Sequence, residues 1–77
     1  MAEKITTVVP IRGGMIRLGQ LLKLSNLVGG GGEAKVRIQN GEVLVNGLVE
    51  TRRGLQLHPG DRVELEQNIL LLAAKEN

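Results

Sequence analysis

Val43-Leu44-Val45-Asn46-Gly47-Leu48-Val49-Glu50 is the stretch that decides how this chain folds. Two short apolar runs flank an Asn-Gly pair. That dipeptide accepts positive φ at both central positions of a two-residue turn, so the segment predicts an antiparallel hairpin. Downstream, Thr51-Arg52-Arg53-Gly54 reads as a basic loop. Leu55 and Leu57 alternate with Gln56, Pro59-Gly60 marks a turn, and Val63 and Leu65 alternate with charged residues. This is the period-two pattern of strands with one face buried. Ile69 to Ala73 is an apolar run after a polar break and predicts a last strand.

Upstream of the hairpin the period changes. From Ile16, residues Leu18, Leu21, Leu22 and Val28 fall on one helical face, with Ser25 inside the stripe. The run Gly29-Gly30-Gly31-Gly32 is expected to end this helix. A second helix is expected from about Glu33 to Gln39, with Ala34 and Ile38 on one face and Asn40-Gly41 supplying a left-handed C-terminal cap. Glu33 suits its positive N-terminal end. Small Ala34 lets the two helices approach in a helix-turn-helix-like corner. Before them, Ile5-Thr6-Thr7-Val8-Val9 predicts a strand that stops at Pro10 and pairs with Ile69–Ala73, and Arg12-Gly13-Gly14 is a loop. The fold class is α+β: two packed helices on a small, mostly antiparallel sheet with added N- and C-terminal strands. Residues 1–77 form one domain, with a core at 17–65.

Composition narrows the function. The 77 residues include no cysteine and one histidine, so neither a disulfide framework nor a His/Cys zinc cluster can be built. Phe, Trp and Tyr are absent, which excludes a surface that stacks bases on aromatic rings. No apolar segment approaches the roughly 20 residues of a membrane span, and none follows the N-terminus as a signal would. The expectation is a soluble cytoplasmic monomer with no membrane partner. Ser25, Asp61 and His58 are the sole residues of their types and fall on different elements, so no nucleophile–base–orienter set is assembled. The glycine run lacks the Gly-Lys-Ser/Thr ending of a phosphate loop, because Glu33-Ala34-Lys35 follows it. No enzyme activity, cofactor, metal or small-molecule substrate is expected.

Charge is uneven along the chain. Residues 1–41 carry six basic and two acidic side chains, whereas residues 42–77 carry four and six. Within one domain this asymmetry suggests a positive face. Arg52-Arg53 is its sharpest feature, since adjacent arginines in a loop can grip phosphates bidentately. The plainer account of these residues, and of Lys35 and Arg37, is solvated surface charge.

Several spaced elements carry a family resemblance. Arg17-Leu18 and Leu21-Leu22-Lys23-Leu24 lead to Glu33-Ala34-Lys35, Ile38 and Gly41. Val43, Val45-Asn46-Gly47, Pro59-Gly60-Asp61 and Val63 continue the series. From Arg17 to Leu65 the chain resembles the αL RNA-binding domain first defined in small-subunit ribosomal protein S four. Glu50-Thr51-Arg52-Arg53-Gly54 and the glycine corner make it most similar to small stand-alone bacterial members. The resemblance implies a structured RNA partner, ribosomal RNA or the ribosome, held across both helices and the post-hairpin loop. Carried over by residue, it nominates Arg17, Lys23, Lys35, Arg37, Arg52 and Arg53, and it implies a role in ribosome association or assembly.

Two departures stand out. Gly19 occupies a position where the family commonly has an acidic residue, and Gly29 and Gly30 replace residues that usually include a capping serine. The corner is therefore expected to be looser than usual. A basic surface without aromatics should read phosphates and 2′-hydroxyls of folded RNA. About four to six phosphate contacts would cost roughly 0.7–0.9 log units of affinity each per log unit of salt. Two other readings remain: a protein-interaction module using Ile69–Leu72 as an exposed strand, and a β-grasp sulfur carrier. The latter lacks its Gly-Gly tail, because the chain ends Ala73-Ala74-Lys75-Glu76-Asn77.

Overall fold

A computed structural model describes residues 3–75. In chain order the elements are β1 (Ile5–Ile11), β2 (Ile16–Arg17), α1 (Leu18–Leu24) and α2 (Gly31–Gln39). They continue with β3 (Val43–Val45), β4 (Leu48–Val49), β5 (Gln56–Leu57), β6 (Arg62–Leu65) and β7 (Asn68–Ala74). Five strands form a sheet in the order β1-β7-β6-β3-β4, and β2 pairs with β5 in a separate two-stranded ribbon. Every pairing is antiparallel except β1 with β7, which is parallel, with Ile5 opposite Asn68 and Ile11 opposite Ala74.

Alternation puts Val9, Ile11, Val43, Val63, Leu65, Leu70 and Leu72 on the buried side of the sheet. Leu18, Leu21, Leu22, Ala34 and Ile38 of the helices complete the same core and are fully enclosed. Each enclosed leucine or isoleucine contributes about 1.5–3 kcal/mol by leaving water. This core fixes the helices against the sheet and leaves their charged flanks outside.

The hairpin forms as the sequence implies. Val45 faces Leu48, and Asn46 and Gly47 take φ of 51° and 87°. Asn46 also ties this turn to the next one. Its amide Nδ2 donates to Asp61 Oδ1 at 3.1 Å, its Oδ1 accepts from Arg62 N at 2.9 Å, and Asp61 Oδ2 accepts from His58 N at 2.7 Å. The sole aspartate is thus a turn clasp.

Five expectations are corrected. The N-terminal strand does not stop at Pro10 but runs to Ile11. Ile5 N donates to Gln67 O and Lys75 N donates to Ile11 O, so the odd-numbered residues of β1 face β7. Pro10 therefore turns its missing N–H toward the open sheet edge, where proline is tolerated. Helix one spans Leu18–Leu24 only, because Ile16 and Arg17 are extended and pair with Leu57 and Gln56. Its capping turn closes through Asn26, before the glycines. Asn26 adopts φ 58°, and Asn26 N and Leu27 N bond to the carbonyls of Lys23 and Leu22, each at 3.1 Å. Asparagine tolerates this left-handed cap. Gly31 and Gly32 belong to the second helix, whose far end closes through Gly41 (φ 77°) as the sequence implies. Finally, Ile69–Leu72 is not an edge strand: β7 lies between β1 and β6, and the edges are β1 and β4, although Leu71 is exposed on the sheet face.

Candidate nucleic-acid interface

The first backbone N–H groups of a helix have no partner within it. In α1 they are satisfied from the post-hairpin loop. Gly19 N donates to Arg53 O at 3.0 Å and Leu18 N donates to Leu55 O at 2.9 Å. Between them, Arg17 Nη1 donates to Gly54 O at 2.9 Å. Three consecutive carbonyls, 53 to 55, are thus held by three consecutive residues, 17 to 19. The β2–β5 ribbon continues the same register, with Arg17 opposite Gln56. This lock brings Arg53, far away in sequence, to the start of α1.

Gly19 explains how closely it comes. A Cβ built there would lie 2.7 Å from Arg53 Cγ, a distance real side chains do not reach. The Arg53 stem therefore crosses α1 where no side chain stands. Glycine at this position thus avoids the clash that a side chain would make.

Around this crossing lies an open cleft of about 390 Å³. Arg17, Lys23 and Arg53 supply its positive charge, while Gly19, Gly31, Ala34 and Gly54 form walls with little or no side chain. No carboxylate lines it among the described residues. Gln20 completes the lining, and its Oε1 accepts from Arg17 N at 3.2 Å.

The remaining nominated cations sit differently. Lys35 is exposed on α2, one turn beyond Gly31 on the same flank, and extends the positive surface beyond the cleft. Arg52 stays exposed, but its Nε and Nη2 grip both oxygens of Glu50, at 2.9 and 3.1 Å, while its backbone N–H donates to Oε2 at 3.0 Å. These bonds hold the Glu50 carboxyl below the usual carboxylate range and raise the Arg52 guanidinium.

Arg37 lies on the opposite flank of α2 from Lys35 and faces the β6–β7 turn. Its guanidinium meets Glu66, Glu42 at 2.6 Å and Glu33 at 3.6 Å, and its hydrogen bonds to Glu66 and Glu42 raise its pKa further. The structure thus unites Arg17, Lys23 and Arg53, leaves Lys35 and Arg52 at the margin, and sets Arg37 apart.

The sequence reading missed the four small wall residues. Gly19 was visible as a departure, but nothing local showed that an arginine 34 positions later would lie over it. The glycine corner also differs from expectation. Where a looser corner is expected, Glu33 Oε1 accepts from Gly29 N at 2.6 Å and ties the glycine run to α2.

A family model described as the S4 domain matches residues 9–72. The chain belongs to the S4 domain family. Its α+β architecture, two helices on a mostly antiparallel sheet with extra strands, is the RNA-binding fold of that family. The chain is also similar to the probable ribosome maturation protein RlbA of Bacillus subtilis (strain 168), with 50% identity over 52 residues. The aligned region covers 68% of this chain and 73% of that relative. In the S4 domain context the cleft lies between the two helices and the loop after the hairpin. No helix among the described residues is long and apolar enough to cross a membrane.

Proposed function

We propose that this protein is a non-enzymatic RNA-binding protein that recognises structured ribosomal RNA and acts in ribosome maturation. The observation that carries the reading is the convergence of Arg17, Lys23 and Arg53, from three separate elements, on a cleft with no facing carboxylate. Three neighbouring cations without a carboxylate on the shared lining repel one another, and a bound polyanion relieves that repulsion. Lys35 and the half-compensated Arg52 extend the contact, so the contact set is narrower than the six nominated residues. Similarity to a protein named for ribosome maturation supports the choice of ribosomal RNA. The protein works in the cytoplasm as a monomer.

The test is a titration of ribosomal RNA fragments and of duplex DNA of matched length across a range of salt. Tighter binding to RNA, with a slope that falls by roughly 0.7–0.9 for each cleft cation removed, is expected. Equal, weak binding to both nucleic acids would reduce the positive surface to generic charge.

A further inference from the structure

We propose that the cleft is a seat for one unpaired nucleotide of the bound RNA, a bulged or terminal residue, rather than a stretch of duplex backbone. This rests on the RNA-binding reading and goes beyond it. A duplex offers its phosphates as a convex ridge, which surface lysines and arginines can meet without any cavity. Here the cations stand around a hollow. Its volume of about 390 Å³ is far more than the few water volumes, about 30 Å³ each, that a phosphate displaces. It falls at the small end of the range, about 300–1,000 Å³, in which pockets enclose organic ligands.

The hollow exists because of the residues that wall it. Gly19, Gly31 and Gly54 present backbone alone, and Ala34 a single methyl. The chemistry of the lining also divides as a nucleotide does. Arg17 and Lys23 supply charge for a phosphate. The Arg53 stem crosses α1 over Gly19, and its planar guanidinium, with no carboxylate partner on the cleft lining, can lie on a base face where no aromatic ring is available. Gln20 has its Oε1 engaged by Arg17 N, which leaves its amide hydrogens to donate to a base edge.

The experiment compares an RNA hairpin bearing a single-nucleotide bulge with the same hairpin fully paired, by fluorescence anisotropy at fixed salt. The protein is expected to bind the bulged hairpin at least 10-fold more tightly. Gly31→Leu places a side chain at the cleft wall without changing charge. A Cβ at position 31 meets no atom within 4 Å, so the fold accepts it. In that variant, with its melting temperature confirming folding, the preference is expected to fall to within about twofold. Equal affinity of the unmodified protein for both hairpins, with RNA still preferred over DNA, would overturn the nucleotide seat and leave the RNA-binding reading standing. No preference for RNA over DNA would remove both. Uridine monophosphate at millimolar concentration separates the remaining source. Amide shifts at Gly31 and Gly54 with the nucleotide but not with inorganic phosphate support the seat. Identical shifts with both would reduce it to a phosphate site and overturn the nucleoside part.

Discussion

On one flank of α2, Arg37 sits among Glu33, Glu42 and Glu66; across the helix, Arg17, Lys23 and Arg53 share a cleft with no carboxylate on its lining. The residue types are the same and the helix between them is the same. The surroundings differ. Arg37 joins α2 to the β3 entry and to the β6–β7 turn, so its charge is used within the fold. Of the cleft cations, Arg17 bonds the Gly54 carbonyl and Arg53 is anchored through its backbone, so neither is neutralised by a carboxylate. A basic residue is therefore informative about ligands only once its acidic neighbours in space are known.

The largest expected effect follows from removing the uncompensated charges. Arg17→Ala combined with Arg53→Ala should weaken RNA binding by at least about 100-fold, since charge-assisted hydrogen bonds contribute about 1.5–3 kcal/mol each. The salt slope should fall by roughly 0.7–0.9 per residue. If Arg37→Gln weakened RNA binding as much, the distinction between the two flanks would be lost.

A smaller effect sharpens the same contrast from the cleft side. Gly19→Ala keeps every charge but puts a methyl 2.7 Å from Arg53 Cγ, so the arginine must leave its crossing. RNA affinity should fall about 3- to 10-fold. The melting temperature should move little, because alanine's better helix propensity, about 1 kcal/mol, offsets the local repacking. An unchanged affinity would show that Arg53 need not lie where it does.

On the other flank the two readouts exchange places. Arg37→Gln should leave RNA affinity within twofold but lower stability by about 1 kcal/mol, because three carboxylates lose their shared partner. In a chain of this size that corresponds to about 4–8 °C in melting temperature. Solvent exposure of all three glutamates keeps the figure this small.

Much of the fold was legible because its signals are local. Asn46-Gly47 determines its turn through backbone preference alone, and the spacing of Leu18, Leu21 and Leu22 needs no distant partner to define a buried face. What escaped depends on residues remote in sequence. Ile16 and Arg17 continue a helical pattern by spacing, yet Gln56 and Leu57 draw them into a ribbon. Asn26 ends α1 because its cap satisfies helix carbonyls, while the glycine run that looked like the stop begins the next helix. The candidate site was half legible for the same reason. Sequence shows where the cations are, but the carboxylates that meet Arg37 come from α2, the start of β3 and the β6–β7 turn, and only the assembled sheet brings them together.

Arg52 stands between the two flanks, and pH provides the gentlest test of its place. Hydrogen bonds from its guanidinium and its own N–H lower the Glu50 carboxyl below an ordinary glutamate. A carboxyl depressed in the folded state stabilises fully above the pKa it has in the unfolded chain, about 4.3, and that stability is lost as pH falls through the folded value. Melting temperature should therefore be insensitive to this pair near pH 7 and should decline below about pH 4. Glu64, lowered by its bond to Lys4, adds to the same decline. Glu50→Gln should remove part of this acid decline. At neutral pH it should also free Arg52 to meet RNA, raising affinity about two- to threefold, the gain from one surface cation released from its partner. A Glu50→Gln protein that binds RNA more weakly would mean the carboxylate holds the loop that carries Arg53, placing Arg52 with the structural charge of Arg37 rather than with the cleft.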